Sequence, residues 1–446
     1  MKKSNLLYVG FIVLLMGQAH AVEELPEIEV VGTSLLPGLE IEKEKLPYEV
    51  RSLQSENLGN ETSLGIADVM NQYIPGVFTN EVQGSPYQGD VTYRGFRASS
   101  ILGAAQGLSV YIDGIRINEP FGDVVNWDMI PEFALDNISL IPGSNPMYGL
   151  NTLGGALSLT TKSGLSHPGK VARVSFGSFS RKKLDISLAG KFSAGSGGDY
   201  FISASHFDES GWRDYSDGKI SNIFGKANKN TDFGSVGIMT YFGDSDLLGN
   251  GLLPSTNFGV GDDVGEIRES GLYEARRQAV YSHPDQTKNE VGLISLNFQN
   301  YLDDDTQLNG LIYHRYGRQK RLGGDVEAEF ESDENEWEFE GEFNNSKTRQ
   351  NSSGFGLNFS KILDNHQITT GVTFDQSSVS YHATETEDCE VNSIRKVICD
   401  DDSETEDSAK VSGKSKTYSL FASDTTEVSG GIFVTGSLRY NHSKVE

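Results

Sequence analysis

From Lys170 onward, apolar and small polar residues alternate in one segment after another. In Gly431 to Tyr440, Ile432, Val434, Leu438 and Tyr440 fall on one face, and Thr435, Ser437 and Arg439 on the other. In His366 to Asp375, Ile368, Val372 and Phe374 oppose Thr369, Gly371 and Thr373. Phe355, Leu357 and Phe359 oppose Gly356, Asn358 and Ser360, and Leu184, Ile186 and Leu188 oppose Lys183, Asp185 and Ser187. A period of two is the period of a strand, whose side chains point alternately to its two faces. An apolar face backed by a small polar one predicts a transmembrane barrel with a wet interior. The pattern places strands near 170–177, 181–190, 199–208, 218–227, 232–243, 289–300, 305–316, 352–361, 366–380, 416–425 and 431–441. Short links alternate with long connections at 244–288, 317–351 and 381–415. A membrane barrel has short turns at one rim and long loops at the other, whereas a soluble β-sandwich has no reason to gather its long loops at one end.

Ahead of these strands the pattern differs. Residues 63–75 predict a helix capped by Ser63, with Leu64, Ala67, Val69, Met70 and Tyr73 on its apolar side and Pro75-Gly76 ending it. Short strands follow at Val91 to Tyr93, Leu108 to Ile112, Ile138 to Ile141 and Ala156 to Thr161, separated by Gly, Pro and Asn turns. Residues 56–164 are therefore expected to form a small α+β domain, and 165–446 antiparallel transmembrane strands. Residues 22–55 read as an extended leader broken by Pro26, Pro37 and Pro47. Within it, Glu27, Ile28, Glu29, Val30 and Val31 alternate acidic and β-branched residues, a pattern able to add as a strand to a partner's sheet. Residues 1–21 have the form of a secretory signal: Lys2 and Lys3, an apolar run from Leu6 to Met16, and Ala19-His20-Ala21 before a mature start at Val22.

Composition narrows the function. The formal net charge is −26, which argues against a nucleic-acid binder. After the signal, no stretch approaches the ~20 apolar residues of a transmembrane helix, so any span must be made of strands. Cys389 and Cys399 are the only cysteines; in an exported chain, without zinc-ligand neighbours, they predict a local disulfide. Neither H-E-x-x-H, G-x-S-x-G nor a P-loop is present, so no enzymatic chemistry and no cofactor are expected. Glu327, Glu329, Glu331, Glu334, Glu336, Glu338, Glu340 and Glu342 form a dense run, read either as a solvated acidic loop or as oxygen ligands for a hard cation.

Several motifs, in order, resemble the TonB-dependent outer-membrane receptor family. Leu64 to Val77, with Pro75-Gly76-Val77, is similar to the helix and turn that open the family's plug domain. Val91 to Phe96, containing Arg94, Gly95 and Phe96, resembles its "RGF" strand, and Val110 to Ile115, containing Asp113 and Gly114, its "DG" strand. Tyr148-Gly149 and Gly154-Gly155 resemble the closing stretch of the plug. Ser139 to Ser144 departs from the family, which commonly has "EvlrGP" there; the usual acidic and Arg residues are absent. Taken alone, Asp113-Gly114 is a good hairpin turn. Arg94 is read either as pairing with an acidic barrel residue or as solvated at a strand edge.

The resemblance implies a plug followed by part of a barrel in the outer membrane of a Gram-negative bacterium. Glu27 to Thr33 would be a TonB box, with the energy-transducing TonB protein and outer-membrane lipid as partners. The cargo would be a scarce nutrient, most often a ferric siderophore or other metal chelate. Asn80 to Asp90 and Asn118 to Trp127 resemble the apical stretches that meet it, which nominates Tyr87, Gln88, Phe121 and Trp127 for ligand binding; the same aromatics could instead pack plug against barrel. A passive pore or adhesion barrel with a constriction domain is the alternative. Eleven predicted strands are about half of the ~22 of a plugged transporter, so the chain is expected to be the first half of a receptor, truncated, that does not transport alone.

Overall fold

The computed structural model describes residues 30–31, 41–42, 48–58, 64–81, 84–192, 197–249, 282–331, 336–392 and 396–446. The signal segment and Glu27, Ile28 and Glu29 lie outside the described residues. In the leader, β1 (Val30–Val31) pairs antiparallel with β2 (Ile41–Glu42).

Residues 48–165 form an inner α+β domain. Its larger sheet contains β3 (Arg51–Gln54), β7 (Leu108–Ile112), β8 (Ile115–Arg116), β9 (Leu135–Pro142) and β10 (Gly155–Thr161), in the order β3-β9-β10-β7-β8. Only the β10–β7 pair is parallel. A second sheet joins β4 (Val77–Asn80), β5 (Asp90–Tyr93) and β6 (Phe96–Ser99). Two short helices, α1 (Ser55–Leu58) and α2 (Ile66–Tyr73), lead into these strands. The start of α2 differs from expectation. Its N-cap is Gly65, Ser63 lies outside the described residues, and the Asp68 carboxylate accepts the Leu64 N–H at 3.0 Å instead. The buried stripe of α2 is Ile66, Ala67, Val69 and Met70, while Tyr73 is exposed. This stripe joins one core with Leu108, Val110, Ile138, Leu140 and Leu157. Full burial of each such side chain contributes about 1.5–3 kcal/mol.

Phe96 shows why the closing motif needs glycine. Its ring lies where a Cβ on Gly154 would approach Phe96 Cβ to 2.4 Å, and one on Gly107 would approach its Cδ1 to 2.6 Å. Gly155 has φ 146°, and a Cβ there would meet the Ile141 carbonyl oxygen at 2.5 Å. Gly154→Ala is expected to cost about 1–3 kcal/mol through overpacking, seen as a lowered midpoint in thermal unfolding. An unchanged midpoint would mean that the ring can swing aside.

The second body is one antiparallel sheet. Its strands are β11 (Gly169–Phe176), β12 (Lys182–Lys191), β13 (Gly198–Glu209), β14 (Gly218–Thr231), β15 (Gly234–Gly249), β16 (Asp285–Asp303), β17 (Thr306–Glu331), β18 (Glu336–Leu363), β19 (His366–Val391), β20 (Val397–Ile398), β21 (Thr405–Ser429) and β22 (Ile432–Val445). Every strand pairs with the next in chain order except β20, a short branch on β19. The sheet is inside out relative to a soluble one. Ile238, Phe242, Ile294, Leu296, Ile312, Phe355 and Leu420 are exposed on the outer face, while Asn289, Ser295, Asn309, Asn358, Ser360, Thr369 and Ser419 are buried on the inner face. An apolar exterior around a polar interior is the arrangement of a membrane barrel, not of a sandwich. Among the described residues, no helix is long and apolar enough to cross a membrane.

The predicted long connections at 317–351 and 381–415 are largely strand. β17 and β18 run to Glu331 and from Glu336, and β19 and β21 run to Val391 and from Thr405. Only about 9–11 residues are needed to cross the bilayer, so these strands, of 25 to 28 residues, project well past it. Around Arg318 to Arg321 and Lys347 to Gln350 both faces carry polar residues, the inner ones meeting the inner domain, which erases the apolar–polar alternation. The acidic run accordingly sits on β17 and β18, with Glu327 in register with Glu340, Glu329 with Glu338 and Glu331 with Glu336. The projection has its own small core. Cys389 is bonded to Cys399, and Val326 and Val397 are buried beside them with Phe343 and Val391 packed on.

Candidate functional site

Polar anchors hold the inner domain against the inner face of the sheet, alongside an apolar cluster that includes Phe201, Phe224, Met239 and Leu293, and two of its sequence motifs, Asp113-Gly114 and Tyr148-Gly149, lie at these anchors. The first anchor is a chain of contacts from residues 118–129. Arg315 on β17 forks onto Glu119: Nη1 donates to Oε2 at 3.0 Å and Nη2 to Oε1, with both side chains buried. Asn126 Nδ2 donates to Glu119 Oε1 at 3.1 Å, and Gln319 Nε2 donates to Asn126 Oδ1 at 3.1 Å and to Asn289 Oδ1 at 3.0 Å. Asn289 Nδ2 and Ser245 Oγ both donate to Asp128 Oδ2, at 2.8 and 2.5 Å. The Tyr241 hydroxyl closes the chain on the Met129 carbonyl at 2.5 Å. One loop is thereby tied to β15, β16 and β17.

Burial raises the Asp128 carboxyl above the usual carboxylate range, against the hydrogen bonds from Ser245 and Asn289, which lower it. The raised value means that the folded state holds the proton more tightly than the unfolded chain does. Its stabilising contribution is complete below the unfolded value near pH 4 and is lost as pH rises through the folded one. Asp128→Asn should therefore gain on the parent as pH rises through that window and lie within about 1 kcal/mol of it at neutral pH. Asp128→Ala, which strands two buried donors, should cost about 1–3 kcal/mol. Melting curves against pH for the three proteins test this; a parent-to-Asn difference that does not change with pH would refute it.

The second anchor is Asp113. Asp113 and Gly114 have φ 44° and 84° and form the two-residue turn between β7 and β8, the conformation that favours Asp-Gly. The same carboxylate accepts the Thr161 N–H at 2.9 Å, the Thr161 hydroxyl at 2.5 Å and Lys226 Nζ of β14 at 2.9 Å. A third anchor is Arg439 on β22, whose Nη1 reaches the Met147 carbonyl at 3.4 Å and whose Nη2 donates to Thr373. It lies against Gly149, where a Cβ would come within 3.4 Å of Nη2. Tyr148 is buried and its carbonyl accepts the Tyr111 hydroxyl. Arg321 Nη2 also holds the Ser100 carbonyl at 2.6 Å, and Lys183 meets Glu132 at 3.5 Å.

Arg94 is not an anchor. With Gly95 it forms the β5–β6 turn, at φ 51° and 86°, where it is exposed and lies over the Tyr93 ring at 5.1 Å. Among the described residues it has no acidic partner within 4 Å.

The four ligand candidates all make contacts within the fold, and Tyr87 and Trp127 also line a cavity with Asp128, Glu132, Arg181 and Lys183. The Tyr87 ring packs tilted against Phe207 of β13, with ring centroids 4.7 Å apart, and burial pushes its phenol well above the ordinary range. Gln88 is buried and its main-chain carbonyl accepts the Ser100 hydroxyl at 3.0 Å. Trp127 is buried, with Nε1 donating to the Ala98 carbonyl at 3.0 Å. Phe121 packs on Tyr381 at 5.1 Å, and its N–H donates to Gln350. A cavity of about 410 Å³ beside these anchors is lined by Arg116, Glu119, Asp123, Asp375 and Arg439 and by Tyr148. Its mixed charges suit a polar ligand.

Sequence reasoning missed Glu119, Asp128, Lys226, Arg315 and Arg321 as anchors. The signal was present for the basic ones: a charged residue on the small, polar face of an alternating strand has to meet something inside.

Residues 42–156 match the family model of the TonB-dependent receptor plug domain. The chain is 29% identical over 134 residues to the ferric aerobactin receptor of Klebsiella pneumoniae, a match covering 29% of this chain and 16% of that protein. Among solved structures, its fold is similar to the ferric-catecholate import receptor Fiu of E. coli K12 in its open form. That match has TM-score 0.68 and 15% identity and covers 90% of this chain and 60% of that one. It is also similar to BauA, the ferric preacinetobactin receptor of Acinetobacter baumannii, with TM-score 0.68, 13% identity and 94% and 60% of the two chains covered. The ferripyoverdine receptor of Pseudomonas aeruginosa matches at TM-score 0.69 and 13% identity, over 93% and 55%. The chain spans about 60% or less of the length of these relatives.

Proposed function

We propose that this chain, which carries the plug domain and barrel fold of the TonB-dependent receptors, serves in energised uptake of a ferric chelate across the bacterial outer membrane. The observation that carries the reading is a plug seated in the barrel wall by buried ion pairs and hydrogen bonds beside shared apolar packing, downstream of a strand-forming leader. The relatives support the cargo class, since each is named for a ferric ligand. In this reading, Glu27 to Val31 form the TonB box. Val30 and Val31 already pair with Ile41 and Glu42, so TonB would replace an internal strand partner by β-strand addition. The periplasmic rim is the one with short turns, such as the link between β16 and β17.

Deleting residues 27–33 should abolish uptake of radiolabelled iron presented as ferric aerobactin, ferric citrate or a ferric catecholate, while leaving surface binding of the same chelate unchanged. Uptake that survives the deletion would refute the coupling role. Conductance in planar bilayers without TonB would favour a passive pore instead.

A further inference from the structure

The outer face of the sheet carries a second pattern, above the apolar belt. Contacts to the plug fix which residues face inward. Arg315, Gln319 and Arg321 of β17, Gln350 of β18, Asn289 of β16 and Tyr381 of β19 all meet the plug or line its seat. Their sequence neighbours therefore face out. In register across the outer face, Leu296, Ile312, Phe355, Phe374 and Tyr418 form one row of the apolar belt. Eight residues further along the strands, Lys288, Lys320, Lys347, His382 and Lys410 form another row, each directly opposite the next. Between the two rows, Arg318 stands opposite Arg349.

Like charges directly opposed on a sheet are destabilising, and this chain is otherwise strongly acidic. Part of the charge is compensated within the fold: Lys288 pairs with Asp246 at 2.9 Å, Arg318 with Glu290 at 3.3 Å and His382 with Asp407 at 2.6 Å. Among the described residues, Lys320, Lys347 and Arg349 have no acidic side chain within 4 Å.

Height decides what this collar faces. β17 starts at Thr306 beside its short turn, and about ten residues cross the hydrocarbon. Tyr316, facing out, then lies at the far interface, and Arg318 and Lys320 stand two and four residues beyond it. That is headgroup level on the rim away from the periplasm. At about 4.8 Å per strand, the five-strand row extends about 19 Å, a length suited to a headgroup with more than one phosphate.

We propose that Lys320, Lys347 and Arg349, with Arg318, bind the phosphate groups of a phosphorylated glycolipid headgroup in the outer leaflet. The apolar belt directly below would take the acyl chains of the same molecule. The bound phosphates supply the countercharge that the fold omits.

The test uses the full chain, extracted in non-ionic detergent, washed free of lipid and titrated with diphosphoryl lipid A, with bound lipid counted by native mass spectrometry. Each basic residue near an anionic membrane surface is worth about fivefold in binding, so Lys320→Gln/Lys347→Gln/Arg349→Gln should bind on the order of a hundredfold more weakly. The charge-conserving Lys320→Arg/Lys347→Arg/Arg349→Lys should retain binding. Folding of each variant is read from heat-modifiable gel mobility, and removing opposed charges should not impair it. Raising salt on the unaltered protein should weaken the lipid complex, a readout that needs no variant. Equal lipid binding by the Gln variant, no salt dependence, or displacement by inorganic phosphate at the concentration of lipid would each overturn the proposal. Uptake of iron does not enter these readouts, so they stand or fall apart from the transport reading.

Discussion

Replacing Arg315 by Met should destabilise the seated plug by about 3–5 kcal/mol, because it leaves the Glu119 carboxylate buried without its countercharge. The side chains of Arg315 and Glu119 are only 7% and 4% exposed, so water is poorly placed to take over. Glu119 would keep just the Asn126 amide at 3.1 Å. The double variant Glu119→Gln/Arg315→Met should recover most of the loss, since it removes the stranded charge as well as the pair. Thermal unfolding gives the magnitude, and hydrogen exchange across residues 118–129 gives the location. Faster exchange confined to that loop would mark local release. A single variant within about 1 kcal/mol of the parent would mean that the pair behaves as a solvated one. Under the transport reading, this contact has to open for cargo to pass, so the single variant should also loosen the plug in the ligand-free state.

The transmembrane part of the fold was legible because one solvent-like face and one polar face impose a period of two. Ile432, Val434, Leu438 and Tyr440 announce β22 without help from its neighbours. The same strands became illegible beyond the bilayer. Residues such as Gln319 to Arg321 and Lys347 to Arg349 are polar on both faces, so nothing in their order separates a continuing ladder from a loop. The register there is set by neighbouring strands and by a small disulfide-bearing core, both long-range. The plug motifs were legible as turns, since Asp113-Gly114 demands positive φ wherever it occurs. Their second duty was not, because the partner of Asp113 lies 113 residues away on β14. Composition leaves Tyr87 and Trp127 open between two roles, because an aromatic with one polar atom suits a packed interface and a ligand cavity alike, and both residues are packed and also line a cavity.

Asp113 offers the sharper test of whether a family motif is turn or anchor, since its two duties separate by substitution. Asp113→Asn keeps a residue that tolerates positive φ before Gly114, so the β7–β8 turn should survive. It removes the charge facing Lys226, whose side chain is 14% exposed, and leaves Nζ only the Thr161 hydroxyl at 3.0 Å and carbonyl at 3.5 Å. The expected cost is about 2–3 kcal/mol, on the low side for a buried pair because some water reaches it. Asp113→Ala should cost roughly a further 1–2 kcal/mol, because Ala lacks the short polar side chain that lets Asp and Asn adopt the left-handed region. Adding Lys226→Met to Asp113→Asn should restore most of the first loss and none of the second. Measured as a double-mutant cycle on thermal or denaturant unfolding, the coupling between Asp113 and Lys226 should exceed about 1 kcal/mol, well above the few tenths seen for independent sites. A coupling near zero, with the Ala and Asn variants equally destabilised, would reduce Asp113 to turn geometry.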